Sequence, residues 1–211
     1  MKTDDLIRAL AADPVRAPDL RATLMFGLLP ALAAAALAVW FTLGFRVDLG
    51  TALVTPVSVA RIFLTGLLGV AASRIALILA RPEGPATARL WPLAAVASAA
   101  LGLLIWAYVT TPDEARQMAT VGKTMTTCLV AIPLLSILPV GVLHYTLRQG
   151  AVTAPARAGF VAGLAGSGLS AAIYALHCTE DSPLFYVTWY GLAIMGVTLV
   201  STLIATQSLR W

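Results

Sequence analysis

Between Arg21 and Arg46 the chain carries no charged residue, and five comparable apolar stretches follow. About 20 apolar residues suffice for a helix to cross the hydrocarbon core of a bilayer. Inside lipid every backbone polar group must be bonded within the protein, so such a segment is helical or part of a closed barrel. The stretches are long and rich in Ala and Leu, without apolar–polar alternation, and therefore predict helices. Their approximate bounds are 22–44, 57–80, 90–110, 123–144, 157–176 and 184–208. Only 11% of the 211 residues are charged, against about 25% in soluble domains. The expected class is an all-α integral membrane protein: a six-helix transmembrane domain over 22–211, preceded by a tail over 1–21. The first stretch exceeds the 7–15 residues typical of a secretory leader, so none is expected to be removed.

An even number of spans leaves both termini on one side. That side collects Lys2, Arg8, Arg16, Arg21, Arg81, Arg89, Arg148, Arg157 and Arg210, while Arg46, Arg116 and Lys123 fall on the other. The positive-inside rule then predicts cytoplasmic termini. Trp40, Trp106, Tyr108, Tyr174, Tyr186, Trp189 and Tyr190 fall near the outer ends and Trp91, Tyr145 and Trp211 near the inner ends, as an aromatic belt requires. Arg61 and Arg74 lie within the second span, about 20 Å apart along a helix, and each is expected to snorkel to its nearer interface. No carboxylate lies within a span, which counts against an ion-coupled transporter. Gly159, Gly163 and Ser167 recur every four residues in the fifth span and predict close packing on a neighbouring helix of the same bundle.

The two cysteines, Cys128 and Cys178, fall at similar depth on the outer side. The second sits in a polar run, His177-Cys178-Thr179-Glu180-Asp181-Ser182-Pro183. His144 is excluded from that region, being about 24 Å along the helix from Cys128. Three fates remain open for the thiols: a disulfide, a soft-metal site completed by His177, or inert burial. Asp181 or Ser182 is expected to cap the sixth helix, with Pro183 in its first turn.

The tail predicts a short amphipathic helix over 2–13, with Leu6, Ile7 and Leu10 as its apolar stripe. Four acids balance four bases there, which favours a protein partner over a lipid surface. Scattered basic residues without a stripe argue against direct nucleic-acid binding. Nucleophile elbow, phosphate loop, His-Glu-x-x-His and Cys-x-x-Cys motifs are all absent, so no enzyme activity is expected.

The segment Tyr174 to Phe185, followed by Trp189-Tyr190-Gly191, resembles the C-terminal signature of the NrsF-type anti-sigma factors, negative regulators of an extracytoplasmic-function (ECF) sigma factor. The opening Met1 to Ile7 and the Arg81-Pro82-Glu83-Gly84 loop are similar to that family as well. The resemblance implies a bacterial inner-membrane protein that sequesters an ECF sigma factor at the cytoplasmic face. It implies that Cys128 and Cys178 are sensing cysteines on the periplasmic side. It also implies heavy metal or oxidative stress as the stimulus, with no resident cofactor beyond a transient heavy-metal ion. Leu6, Ile7 and Leu10 are the candidate sigma-binding residues. A small-solute or metal transporter and a membrane thiol oxidoreductase are the competing functions.

Overall fold

Asp19 starts the first long helix: its carboxylate accepts the backbone N–H groups of Arg21 at 3.0 Å and Ala22 at 3.1 Å, satisfying donors that a helix start leaves free. The computed structural model describes Thr3, Asp5, Ile7, Arg8 and residues 19–209. Nine helices follow among residues 19–209: α1 (Leu20–Thr42), α2 (Leu49–Ala52), α3 (Pro56–Leu79), α4 (Gly84–Thr87), α5 (Trp91–Thr110), α6 (Asp113–Val121), α7 (Met125–Arg148), α8 (Pro155–Tyr174) and α9 (Pro183–Ser208). Six helical stretches are long and apolar enough to cross a membrane: α1, α3, α5, α7 with the preceding α6, α8 and α9. No strand occurs among the described residues. Proline opens α3, α8 and α9, where its missing N–H costs nothing. Large apolar side chains such as Phe26, Leu134 and Leu203 face outward, as expected where lipid rather than water surrounds the bundle.

Helix α8 is the hub. Two-thirds of its most apolar window is buried, against 17–28% for the other long helices. Its small residues let three neighbours approach on different sides. Gly163 lies where a Cβ would come within 2.5 Å of Thr198 Cα on α9, and Gly159 is likewise closed off by Ala205. A Cβ on Gly166 would meet Val140 of α7, and Gly168 lies against Gly69 and Thr65 of α3. The small-residue repeat therefore packs within one bundle, as its sequence predicted.

Polar welds reinforce this packing. Pro139 in α7 cannot donate to the Leu135 carbonyl; the Ser170 hydroxyl of α8 bonds to that carbonyl instead, at 3.2 Å. Ser201 of α9 donates to the Gly159 carbonyl at 2.7 Å and accepts from His144 Nε2 at 2.8 Å. His144 is thus a structural link among α7, α8 and α9.

Helix α5 is peripheral, with only Val96 and Ala107 buried. At the end of the bundle near residues 20 and 209, the loops 80–90 and 149–154 are joined. Ala151 N–H donates to the Ala80 carbonyl at 2.8 Å and Thr153 Oγ1 to the Pro82 carbonyl at 3.1 Å. Arg81, Arg89, Arg148 and Arg157 are exposed around them.

Candidate functional site

The opposite end of the bundle carries loops 43–55, 111–124 and 175–182, and both cysteines lie there. Cys128 is in the first turn of α7 and is fully buried; Cys178 is in the loop between α8 and α9 and is 1% exposed. Both thiols are free. They are close enough to interact directly. Cys128 Sγ donates to the Tyr174 hydroxyl at 3.3 Å, while Thr124 Oγ1 lies 3.9 Å from Cys178 Sγ. The Tyr174 ring stands 5.7 Å from both the His177 and Tyr190 rings, so aromatic groups wall the pair.

The loop that presents Cys178 is held by two buried arginines. Arg61, in the second turn of α3, donates to the carbonyls of Ala175 at 3.1 Å, Cys178 at 3.0 Å and Glu180 at 2.5 Å. Arg46 reaches the same Cys178 carbonyl at 3.3 Å. These donors collect the carbonyl of the α8 cap residue, Ala175, and those of Cys178 and Glu180 in the following loop. Asp181 binds both cations: Arg46 at 2.9 and 3.0 Å in a bidentate pair, and Arg61 at 3.3 Å. Ser58 donates to Asp181 at 2.7 Å, and Asp48 pairs with Arg46 at 2.7 Å. Two positive and two negative charges thus neutralise one another: the two guanidiniums are buried, while Asp181 and Asp48 are partly exposed and so need less compensation.

Electrostatics follow from this geometry. Burial pushes the Asp181 carboxyl up, but the bonds from Arg46 and Ser58 and the charge of Arg61 outweigh it and hold it below the ordinary range. Arg46, bonded to Asp48 and Asp181, is held more firmly protonated than usual. The Cys128 thiol beside it draws Cys178 below the ordinary thiol range against the opposing effect of burial, and Arg61 acts in the same sense. Cys178 is therefore the sulfur of the pair poised to become a thiolate, the nucleophilic and metal-binding form.

Glu180 and His177 brace the loop from its sides. Glu180 accepts the Lys123 backbone N–H at 2.8 Å. The adjoining Gly122 has a φ of 58°, and a Cβ there would strike Phe185 and crowd the Glu180 carboxyl. Only glycine suits both the left-handed backbone and the space. His177 Nδ1 lies 2.7 Å from the Gly44 carbonyl.

Several expectations need correction. Arg61 does not snorkel: it is 1% exposed and bonds to the Cys178 loop, because the loop carbonyls and Asp181 lie within bonding reach of its guanidinium. Arg74 is exposed. Asp181 does not cap α9, since its carboxylate is committed to Arg46, Arg61 and Ser58; Ser182 takes the cap position without a side-chain bond, ahead of Pro183. Tyr174, Tyr186 and Tyr190 are buried in the bundle, not half-wet belt residues. The structure brings Cys128 and Cys178 together. It directs His177 to the α1–α2 loop, and among the described residues no three His, Cys, Asp or Glu side chains form a cluster that could hold a metal ion. In the tail, Ile7 is helical and exposed, whereas Leu6 and Leu10 lie outside the described residues. Sequence reasoning missed the clamp of Arg46 and Arg61; an arginine in the second turn of an apolar helix was the signal for it.

The family described as negative regulator of sigma F (NrsF) matches residues 9–211. The chain belongs to the NrsF family. It is 36% identical over 217 residues to the anti-sigma-F factor NrsF of Caulobacter vibrioides (strain NA1000 / CB15N), with both chains fully covered. It is 31% identical over 216 residues to the probable anti-sigma-F factor NrsF of Azospira oryzae (strain ATCC BAA-33 / DSM 13638 / PS), again over the full length of both. No solved structure matches the chain. The NrsF resemblance read from Tyr174 to Gly191 is therefore borne out over nearly the whole sequence.

Proposed function

We propose that this chain is an anti-sigma factor of the bacterial inner membrane. It holds an ECF-family sigma factor at its cytoplasmic face and releases it when Cys128 and Cys178 react with a heavy metal or an oxidant. The full-length similarity to two proteins named as anti-sigma-F factors carries the first half. The direct approach of two free, buried thiols, one drawn toward its thiolate, supports the second. The excess of basic residues on the side of the termini favours a cytoplasmic placement for them, and so a periplasmic placement for the thiols. The chain acts as a regulator, not as an enzyme.

The chemistry is simple. A peroxide oxidises the Cys178 thiolate to a sulfenic acid and is itself reduced to an alcohol or water. The Cys128 thiol then condenses with that sulfenic acid, forming a disulfide and releasing water. A soft divalent metal ion would instead displace two protons and bridge the sulfurs. Either event imposes a new sulfur spacing and removes the Cys128–Tyr174 hydrogen bond. The packing at the head of α7 must then change, which can bias the bundle between a retaining and a releasing arrangement. Leu6, Ile7 and Leu10 of the tail, with the joined basic loops 80–90 and 149–154, form the proposed sigma-binding surface.

The test is co-purification of the full chain with the ECF sigma factor of its own genome, with and without cadmium or hydrogen peroxide. Wild type should retain the sigma factor and release it on treatment. Cys128→Ser and Cys178→Ser should retain it and fail to release. A wild-type chain that never retains a sigma factor sinks the anti-sigma role; normal release in both variants sinks the sensing role. Deletion of residues 2–12 should abolish retention, and a truncated chain that still binds would remove the tail from the surface.

A further inference from the structure

Cys128 is 0% exposed and Cys178 1%, yet both thiols are free. A reagent dissolved in water meets these sulfurs only when something that covers them moves. Most of the cover is fixed. Tyr174 and Tyr190 are buried parts of the packed helices α8 and α9. The loop 175–182 is held by Arg46 and Arg61 through its carbonyls and Asp181.

Residues 120–124, which join the end of α6 to the start of α7, are held differently. Thr124 Oγ1 lies 3.9 Å from Cys178 Sγ and also neighbours Cys128, so this segment closes directly over the pair. Helix α6 has no buried residue and leaves Met118 64% exposed. Its Arg116 donates to the Tyr108 and Thr111 carbonyls at 3.0 Å and stacks on the Tyr108 ring. That fastens α6 to the end of α5, itself a peripheral helix. Two hydrogen bonds latch the segment to the fixed part of the bundle. Trp189 Nε1 of α9 donates to the Thr120 carbonyl at 2.7 Å, and the Glu180 carboxylate accepts the Lys123 N–H at 2.8 Å. Between these latches sits Gly122, whose φ of 58° and ψ of −169° belong to a region that only glycine adopts freely. A segment with little buried apolar surface and few tethers opens locally at low free-energy cost.

We propose that residues 120–124 form a flap over the thiol pair, latched by Trp189 and Glu180, and that its opening admits water-borne reagents to Cys128 and Cys178. Lifting Thr120 and Lys123 off their partners withdraws Thr124 from the sulfurs and leaves the arginine-held loop in place. The latches then set how much reagent is needed to modify the thiols. That last consequence rests on the proposed sensing role; the flap itself does not.

The full chain is reconstituted in phosphatidylcholine nanodiscs, and the rate at which maleimide labels each cysteine is followed by peptide mass spectrometry well below the melting temperature. Trp189→Phe keeps an aromatic ring and removes the Nε1–H, so labelling of both thiols should accelerate about fivefold, the population shift that one hydrogen bond supplies. Glu180→Gln keeps the shape and an acceptor but removes the charge, and should accelerate labelling about threefold. Gly159→Ala, which crowds Ala205 far from the flap, is the comparator. It should lower the melting temperature yet label at the wild-type rate, because local opening bypasses global unfolding. A wild-type labelling rate in either latch variant, or equal acceleration in Gly159→Ala, overturns the flap. With sigma factor bound, Trp189→Phe should also lower the cadmium dose for half release by the same factor as its labelling gain. Accelerated labelling in a chain from which cadmium releases nothing would sink the sensing role and leave the flap standing.

Discussion

Replacing Arg61 with Met tests whether the guanidinium is the structural keystone of the cysteine loop. The substitution keeps an unbranched apolar stem and removes every donor. Three carbonyls, of Ala175, Cys178 and Glu180, lose a charge-assisted bond, and Asp181 loses one of its two cationic partners. Losing one partner of a buried ionic network typically costs about 3–5 kcal/mol, because the remaining groups stay buried without compensation. Arg46 retains its bond to the Cys178 carbonyl and its bidentate pair with Asp181, so the loss should fall at the lower end, about 3 kcal/mol. Against a total stability of about 5–15 kcal/mol that is a large fraction. The measurement is unfolding of the detergent-solubilised chain, paired with the rate at which maleimide labels Cys178. Arg74→Met, on the same helix but exposed, serves as the control and should change stability by less than about 0.5 kcal/mol. Equal stability and equal labelling in the two variants would refute the assignment of Arg61 as the clamp.

Three further outcomes follow from the same geometry. The Asp181 carboxyl is held below its ordinary value, so the stability it supplies is present above the unfolded value of about 3.9 and fades as pH falls through the lower folded value; melting temperature should be insensitive to Asp181 between pH 5 and 7 and drop below about pH 4, whereas Asp181→Asn should be lower throughout and lose part of that acid limb. Cys128→Ala should raise the Cys178 thiol toward its ordinary range, because the donor that draws it down is gone, and iodoacetamide profiles against pH should show the alkylation midpoint of Cys178 shifting upward. Gly159→Ala should destabilise the bundle by about 1–3 kcal/mol through overpacking, since its Cβ would collide with Ala205 of α9; thermal unfolding reads this directly.

Much of the architecture was legible because the bilayer imposes a length and a solvent on each helix. The six apolar stretches and the small-residue face of α8 follow from that constraint alone. The pairing of Cys128 with Cys178 was legible only as shared depth; their mutual approach depends on how α7 rotates against α8, which hydropathy does not encode. Arg61 was misread for a physical reason. Snorkelling assumes that the interface is the polar medium within reach, yet Ala175 at the cap of α8 and Asp181 in the loop beyond it lie within bonding distance. Tyr174, Tyr186 and Tyr190 are buried because closeness to a helix end does not decide whether a ring faces the interface or the bundle. Asp181 was assigned to the nearest helix start, although Arg46 lies 135 residues away in sequence and bonds it in both positions.

Under the proposed function, a change at the thiols has to cross the bundle to reach a sigma factor held at the other face, and the polar welds offer a route. Cys128 opens α7, whose last residue is Arg148, about 30 Å away along the helix axis. Along that path α7 is tied to α8 by Ser170 and to α9 by the His144–Ser201 bond, and Ser201 in turn ties α9 to Gly159 of α8. Beyond Arg148 the chain enters the loop whose Ala151 and Thr153 bond to Ala80 and Pro82. Three welded helices transmit a displacement as a block more readily than three greased by apolar contact alone, because packed interiors shift between discrete arrangements. Ser201→Ala removes two of these bonds at once while keeping the small side chain that Gly159 and Gly163 require. It should leave sigma retention and thiol alkylation near wild-type values, while lowering the fraction of sigma factor released at a fixed cadmium dose. Full release in Ser201→Ala, with both thiols modified to the wild-type extent, would show that the displacement travels elsewhere, and α3, which contacts α8 at Gly69 and the Cys178 loop through Arg61, would then be the next element to test.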